Sequence, residues 1–420
     1  MLKKIPYRYR VLVLLCTLCT ITYLDRICIS IVGVRIKSEF DLTNTEFGFV
    51  LAAFSLAYAL FEIPSGILGD RIGPRKVFIR IVLLWSVFTA LTGLTTGLIS
   101  LIIVRFLFGI GESGTYPNVM IVISRWFPIK ETGRALTWVG LGSQIGSAIA
   151  PLIILPLAVS FSWRASFFVN ALIGLIWVII CYSFFKDFPG DAKNISSGER
   201  ELIETESRHN KMKHHIKWKI ILINRNVWAL MLMYFCCQWA NYFFVAWMPV
   251  YLQEGRHFSE NEMKFISTSL FIAGIAGFLI GGVTSDWIDH LKGIRFGRRF
   301  MGISGLGLCG LFLLAASLSS NNHISSNSLI LANFFFCFGV MVSYAVCADI
   351  GKSNTGTVTG AMNFFGQTGA FVLALAFGKI ADMTHNFNYP LILVGFVMIM
   401  GALLWIAIDP LKQIKEEVPH

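Results

Sequence analysis

Apolar residues in this chain gather into long blocks separated by short polar ones; they do not recur at the spacing of a one-sided helix or strand. LIIVRFLFGI (101–110), VNALIGLIWVIICYSFF (169–185) and PLILVGFVMIMGALLWIAI (390–408) each lack the polar back face that a surface helix needs. About 20 such residues in a row match a hydrocarbon layer about 30 Å thick. Runs of this kind cover roughly 11–33, 46–69, 76–96, 99–124, 133–159, 163–184, 226–253, 262–288, 299–319, 327–348, 355–381 and 388–409. Each predicts a membrane-spanning helix, about twelve in all, in an all-α membrane protein. The first run is too long, and too charged in its second half, for a cleaved signal peptide, and it is kept as a helix.

Composition fits this pattern. Of 420 residues, 55% are hydrophobic and 14% charged, where a soluble chain carries about a quarter charged. Mean hydropathy is +0.67. Glycines are frequent inside the runs, as at Gly140, Gly142 and Gly146, and small residues let helix backbones approach closely in lipid. All nine cysteines (16, 19, 28, 181, 236, 237, 309, 337, 347) fall within predicted spans. Packed there they act as small hydrophobes, and no disulfide is expected. The histidines lie mostly in loops without metal-ligand spacing, so no metal site is expected; His214 and His215 read as solvated.

The longest polar segment, KDFPGDAKNISSGERELIETESRHNKMKHHIKWK (186–219), separates six runs from six. The predicted organisation is a first six-helix bundle over 1–185, a cytoplasmic linker over 186–225 with a short amphipathic helix near 197–208, and a second bundle over 226–420. The halves resemble one another. GILGDRIGPRK (66–76) and GGVTSDWIDHLKGIRFGRR (281–299) both place glycine and an acid at a helix end, then a turn, then a basic cluster. Two such pseudo-symmetric halves form the architecture of a rocking transporter with its site at the midplane.

The net charge of +11 is distributed as a membrane would require. With a cytoplasmic N-terminus, that face receives Lys3, Lys4, Arg8, Arg10, Arg71, Arg75, Lys76, Arg80, Arg125, Lys130, Arg134, the linker, the 292–299 cluster, Lys352, Lys412 and Lys415. About 27 of the 35 lysines and arginines then lie inside and about 6 outside, with Arg26 and Arg105 in the membrane. Both termini are expected in the cytoplasm. No aromatic-interleaved basic patch supports nucleic-acid binding.

GILGDRIGPRK and its partner copy resemble the loop signature of the major facilitator superfamily, and the resemblance extends over the whole chain in run number and linker position. It implies the major facilitator fold. It also implies a gating role for Asp70 at the cytoplasmic helix ends, with Arg71 and Arg75 facing it, and for Arg134 and Asp286.

Two runs carry ionisable residues at depth: TYLDRICIS (22–30) holds Asp25 and Arg26, and the fourth run holds Arg105 and Glu112. An unpaired charge at the bilayer centre costs at least about 2.5–3.5 kcal/mol, so such residues face protein or a wet cavity. Seven residues apart, Arg105 and Glu112 return to nearly one helix face. Asp25 and Arg26 point about 100° apart and cannot pair well with each other, so each is expected to find a partner on the fourth run. An arginine offers a planar fork to a carboxylate. Burial disfavours an ionised acid and a facing guanidinium favours it. An anion that occupies the arginine therefore eases proton uptake by the acid.

YLDRICIS together with RFLFGIGESGTYPN (105–118) resembles the anion:cation symporter branch of that superfamily, which takes up sugar acids such as galactonate, glucarate and hexuronates. The resemblance implies proton-coupled uptake of an organic anion. Asp25 and Glu112 match the branch's proton-handling acids, Arg26 and Arg105 its cavity arginines, and Tyr58 in LAYALFEIPSG (56–66) a cavity tyrosine. Polar side chains stranded in other apolar runs complete the expected cavity wall: Gln144, then Gln238, Asn241, Tyr242 and Trp247 in QWANYFFVAWMP, then Asn363 and Gln367 in GAMNFFGQTGAF. Amides and phenols suit a polyhydroxylated substrate because they donate and accept without adding charge.

The expected function is secondary active transport: symport of a small organic anion, such as a hexonate, hexarate or hexuronate, with protons in preference to Na⁺. The expected setting is a monomer in the inner membrane, with no cofactor. Two alternatives remain at this point, an exporter or exchanger of the same fold and a non-transporting membrane sensor or scaffold. No nucleophile–base constellation supports an enzyme.

Overall fold

The computed structural model describes residues 6–192, 195–206, 223–352 and 355–414. Lys3, Lys4, Lys415, His214, His215 and the last two residues of the helix expected at 197–208 lie outside them.

The described residues are almost entirely helical. In chain order they form α1 (Tyr7–Ile31), α2 (Gly33–Phe40), α3 (Asn44–Ile72), α4 (Pro74–Thr92), α5 (Leu98–Glu112), α6 (Thr115–Trp126), α7 (Ile129–Ser160), α8 (Trp163–Phe184) and α9 (Ser197–Glu206). After the linker come α10 (Arg225–Tyr242), α11 (Glu260–Lys292), α12 (Ile294–Leu318), α13 (Asn322–Gly351), α14 (Thr355–Thr384) and α15 (Asn388–Leu404). Ten helical stretches are long and apolar enough to cross a bilayer, α5 and α6 together counting as one. The third and twelfth runs supply two more: α4, whose first turns carry Arg75, Lys76 and Arg80, and the 17-residue α15. Ten and two make the expected twelve.

The described residues group into two compact units. One gathers those within 1–32 and 56–213, the other those within 33–55 and 214–420, so the division falls inside α3.

In the first unit, α1 runs against α7 with backbones nearly touching. A Cβ added at Gly142 or Gly146 would come within 2.6 Å of the Cys16 carbonyl or 2.2 Å of the Thr20 carbonyl. Thr20 Oγ1 donates to the Gly142 carbonyl across this contact at 2.9 Å, the close approach that small residues permit. Trp177 of α8 donates to Thr17 at 3.1 Å, and Tyr7 stacks on Trp126 at 5.4 Å. The linker helix α9 closes one end. Glu199 accepts from the backbone N–H groups of Tyr7 and Arg8 at 2.9 and 3.0 Å. It thereby supplies the cap that Pro6 does not, with a negative charge at the positive end of α1. Arg8 also bridges Glu131, at the start of α7, and Glu199 at 3.0 and 3.2 Å.

In the second unit, α10 continues to Gly255 through two π-helical turns, Phe243–Trp247 and Tyr251–Gly255, on either side of Pro249. Trp247 stacks on Phe377 of α14 at 4.9 Å. Asp382 of α14 accepts from the backbone N–H groups of Asn44 and Thr45, at the start of α3, at 3.1 and 2.7 Å. Lys37 pairs with Glu254 at 2.5 Å and Arg35 with Glu260 at 2.9 Å.

Candidate functional site

The fourth run is not one continuous helix. It breaks immediately after Glu112: Ser113 takes an extended conformation and Gly114 a left-handed one at φ 88°, before α6 begins at Thr115. A Cβ at Gly114 would lie 2.3 Å from Ser65 Cβ on α3, so both the dihedral and the space there demand glycine. The backbone carbonyls near the break find local partners. Thr115 Oγ1 donates to Glu112 O, Ser113 Oγ to Ile110 O and Asn118 Nδ2 to Gly114 O, each at 2.8 Å. Discontinuous helices with freed backbone groups are tolerated at membrane depth only where protein or a cavity surrounds them.

Glu112, at this break, is fully buried and pairs with Arg26 of α1, Nε to Oε1 2.5 Å. The guanidinium also lies 4.7 Å from the Tyr58 ring and 5.2 Å from the Tyr23 ring, a cation–π arrangement. Tyr116, whose hydroxyl is 2.8 Å from that of Ser143, faces the same arginine. Asp25, on the adjacent side of α1, is 2% exposed. Glu112, Arg105 and Asn170 of α8 face it. Arg105 is 2% exposed, its guanidinium 4.6 Å from the Phe108 ring. The first unit therefore brings Asp25, Arg26, Tyr58, Arg105 and Glu112 together. Gln144 is also buried there, on α7.

Two residues of this cluster were hidden in the sequence. Asn170 sits in an unbroken apolar run, where one amide raises no alarm. Glu62 lies one helical turn beyond Tyr58 on α3, is 6% exposed and faces Arg26. The expectation that only two spans carry charge at depth is thus corrected: α3 is a third. Its proximity to the GILGDRIG helix end disguised Glu62 as an interfacial residue.

The remaining uncharged candidates belong to the second unit. Gln238 accepts from Asn241 at 2.7 Å, so these two amides engage each other. Tyr242 is buried and donates to the Leu51 carbonyl at 2.7 Å. Asn363 and Gln367 are half-buried on one face of α14. The Tyr234 and Tyr344 hydroxyls, 2.7 Å apart, form a further polar contact that residue type alone did not single out.

Among the gating candidates, Asp70, Arg71, Arg134 and Asp286 are exposed. Arg75 turns to Asp187 and Tyr182, donating its backbone N–H to Asp187 Oδ1 at 2.7 Å and Nη2 to the Tyr182 carbonyl at 2.6 Å. The acids that meet the basic cluster of the second copy are Asp289 and Asp349, each 3.2 Å from Arg298, and Asp409, 3.0 Å from Arg295.

Residues 15–374 match the model of the Major Facilitator Superfamily. The chain is 31% identical to the probable sulfoacetate transporter SauU of Cupriavidus necator, over 98% of this chain and 96% of that protein. It is 28% identical to the hexuronate transporter of Bacillus subtilis (91% and 90% covered) and to the probable L-galactonate transporter of Escherichia coli (92% and 86%). Its fold is similar to that of a bacterial homologue of the human lysosomal transporter Spinster in an inward-facing, unoccupied conformation. The TM-score is 0.74 at 17% identity, with 96% and 97% of the two chains covered. With twelve membrane-length helical stretches among the described residues, a broken span at a buried ion pair and these relatives matched over nearly their whole length, the chain belongs to the Major Facilitator Superfamily, as a multi-pass membrane transporter.

Proposed function

We propose that this transporter is a proton-coupled symporter of a small organic anion of the sugar-acid or sulfo-acid class, working by alternating access in the inner membrane with both termini cytoplasmic. The observation that carries the proposal is the Arg26–Glu112 pair, its carboxylate fully buried and its guanidinium largely so, beside Arg105 and Asp25. A buried charge whose partner is removed is strongly destabilised. An anion that takes the guanidinium therefore leaves Glu112 facing an unfavourable choice that a proton resolves. Proton and anion bind best together, which is the thermodynamic content of symport. The relatives named for sulfoacetate, hexuronate and galactonate support an anionic substrate.

In this reading Arg26 and Arg105 bind the anionic group, and Asp25 and Glu112 carry protons. Tyr58, Gln144, Gln238, Asn241, Tyr242, Asn363 and Gln367 supply uncharged substrate contacts. Asp70, Arg71, Arg75, Arg134 and Asp286 act at the gate.

Proteoliposomes with an imposed inward proton gradient, offered sulfoacetate, D-galactonate and D-glucuronate in turn, test the proposal. Accumulation of at least one anion that collapses with a protonophore is expected. Accumulation that ignores the proton gradient but follows Na⁺, or one-for-one exchange alone, would overturn the proton coupling.

A further inference from the structure

Glu62 has no place in the scheme above. It is 6% exposed, in the interior of α3. Among the described residues it makes neither a hydrogen bond nor an ion pair. A buried acid without a partner is costly and calls for an explanation. Its surroundings are specific. Arg26 of α1 is the charged group that faces it, and Tyr58, one turn earlier on its own helix, holds its ring 4.7 Å from that guanidinium. Around that guanidinium also stand Glu112 of α5, Tyr23 of α1 and Tyr116 of α6.

We infer that Glu62 is a third acid of the transport site, sharing Arg26 with Glu112, and that its negative charge makes proton binding a precondition of anion binding. The charge count carries the inference. Arg26 and Arg105 give two positive charges; Asp25, Glu112 and Glu62 give three negative ones. With every acid ionised the cluster is at −1, and a buried site of that charge repels an anion. One proton brings it to neutrality, and a second keeps it neutral once a monoanion has bound. Without Glu62 the fully ionised cluster is already neutral and can admit an anion before any proton arrives. Glu62 thus acts against slippage, the passage of anion without its coupling ion. The inference rests on the proposed anion symport and deepens it.

The sign of the pH effect follows. Proton and anion bind together, so affinity falls as pH rises, by about tenfold per pH unit for each linked proton. Anion affinity of purified wild type, Glu62→Gln and Glu62→Asp is measured from pH 5 to pH 9 by thermal shift, with sulfoacetate, D-galactonate and D-glucuronate as probes. Glu62→Gln is expected to keep its affinity toward the alkaline end, about tenfold above wild type at the highest pH. In vesicles it is also expected to leak anion down its gradient without proton movement. Glu62→Asp should restore the wild-type profile. A Glu62→Gln profile that overlays wild type, with coupling intact, overturns the inference. A second arm needs no ligand: infrared difference spectra on acidification should lose part of the protonated-carboxyl band in Glu62→Gln, and an unchanged band also overturns it. If wild type binds none of the three anions, the anion reading fails, while the infrared arm still decides whether Glu62 takes a proton.

Discussion

The interiors of the two units treat charge differently. In the first, four buried ionisable side chains (Asp25, Glu62, Arg105 and Glu112) and the largely buried Arg26 gather near one helix break. In the second, buried charges stand at helix ends and are held by fixed partners. Arg256 donates to the Ala316, Ser317 and Ser319 carbonyls at the end of α12, and Asp409 pairs with Arg295 at 3.0 Å. Deeper in that unit the polar groups are amides and phenols. A guanidinium bound to backbone carbonyls has no competitor, because those acceptors cannot be protonated away. One bound to a carboxylate can change partner whenever a proton or another anion arrives. The deep interior of the first unit is thus chemically responsive, while the amides and phenols deep in the second offer hydrogen bonds of constant charge.

This contrast can be broken most directly at Arg105. Arg105→Ala should abolish measurable anion binding, since loss of one partner of a buried charge interaction costs about 2–5 kcal/mol, about 30-fold or more. Calorimetry showing wild-type affinity would remove Arg105 from the site.

Glu112→Gln should come next in effect. The neutral side chain mimics a protonated acid, so uphill uptake should vanish while exchange of labelled for unlabelled anion persists. Continued accumulation against a gradient would show that Glu112 is not a coupling acid.

Gly114→Ala probes the break itself. Positive φ and the 2.3 Å approach to Ser65 should lower stability by about 1–3 kcal/mol, read as a fall in melting temperature in detergent. Gly97→Ala, with nothing within 4 Å of the added Cβ, is the matched control and should change little. Equal effects would mean that the break is not strained.

The smallest effects should come from the second unit. Asn363→Ala and Gln367→Ala are each expected to weaken anion affinity about 2- to 10-fold, the worth of one neutral hydrogen bond, with the number of protons per anion unchanged. A change in that number would extend proton handling to the second unit.

Much of this was legible in the chain itself. Twelve apolar runs gave twelve helices because a bilayer sets helix length by composition alone. Asp25, Arg26, Arg105 and Glu112 were legible because a charge within lipid-length apolar sequence must be explained. Gly142 and Gly146 marked a close helix contact for a similar reason, since small residues in a long span serve packing, though only the structure names α1 as the partner. The amides of the second unit were visible as interruptions, but not that Gln238 and Asn241 bond to each other or that Tyr242 holds the Leu51 carbonyl.

Tertiary structure decided the rest. Hydropathy averages over a window and cannot see one residue of abnormal dihedral, so the break at Ser113–Gly114 stayed hidden inside a continuous run. Partner choice is also a matter of three dimensions: whether Arg26 takes Glu112, and whether Asp25 keeps Arg105 and Asn170 for company, depends on how helices turn against one another. Glu62 shows the limit most plainly. Along the chain it is an acid close to a helix end, but in space it faces Arg26. Sequence determines which groups must leave lipid, because transfer energy belongs to the residue. Only packing determines which groups they meet, because Coulomb energy depends on distance.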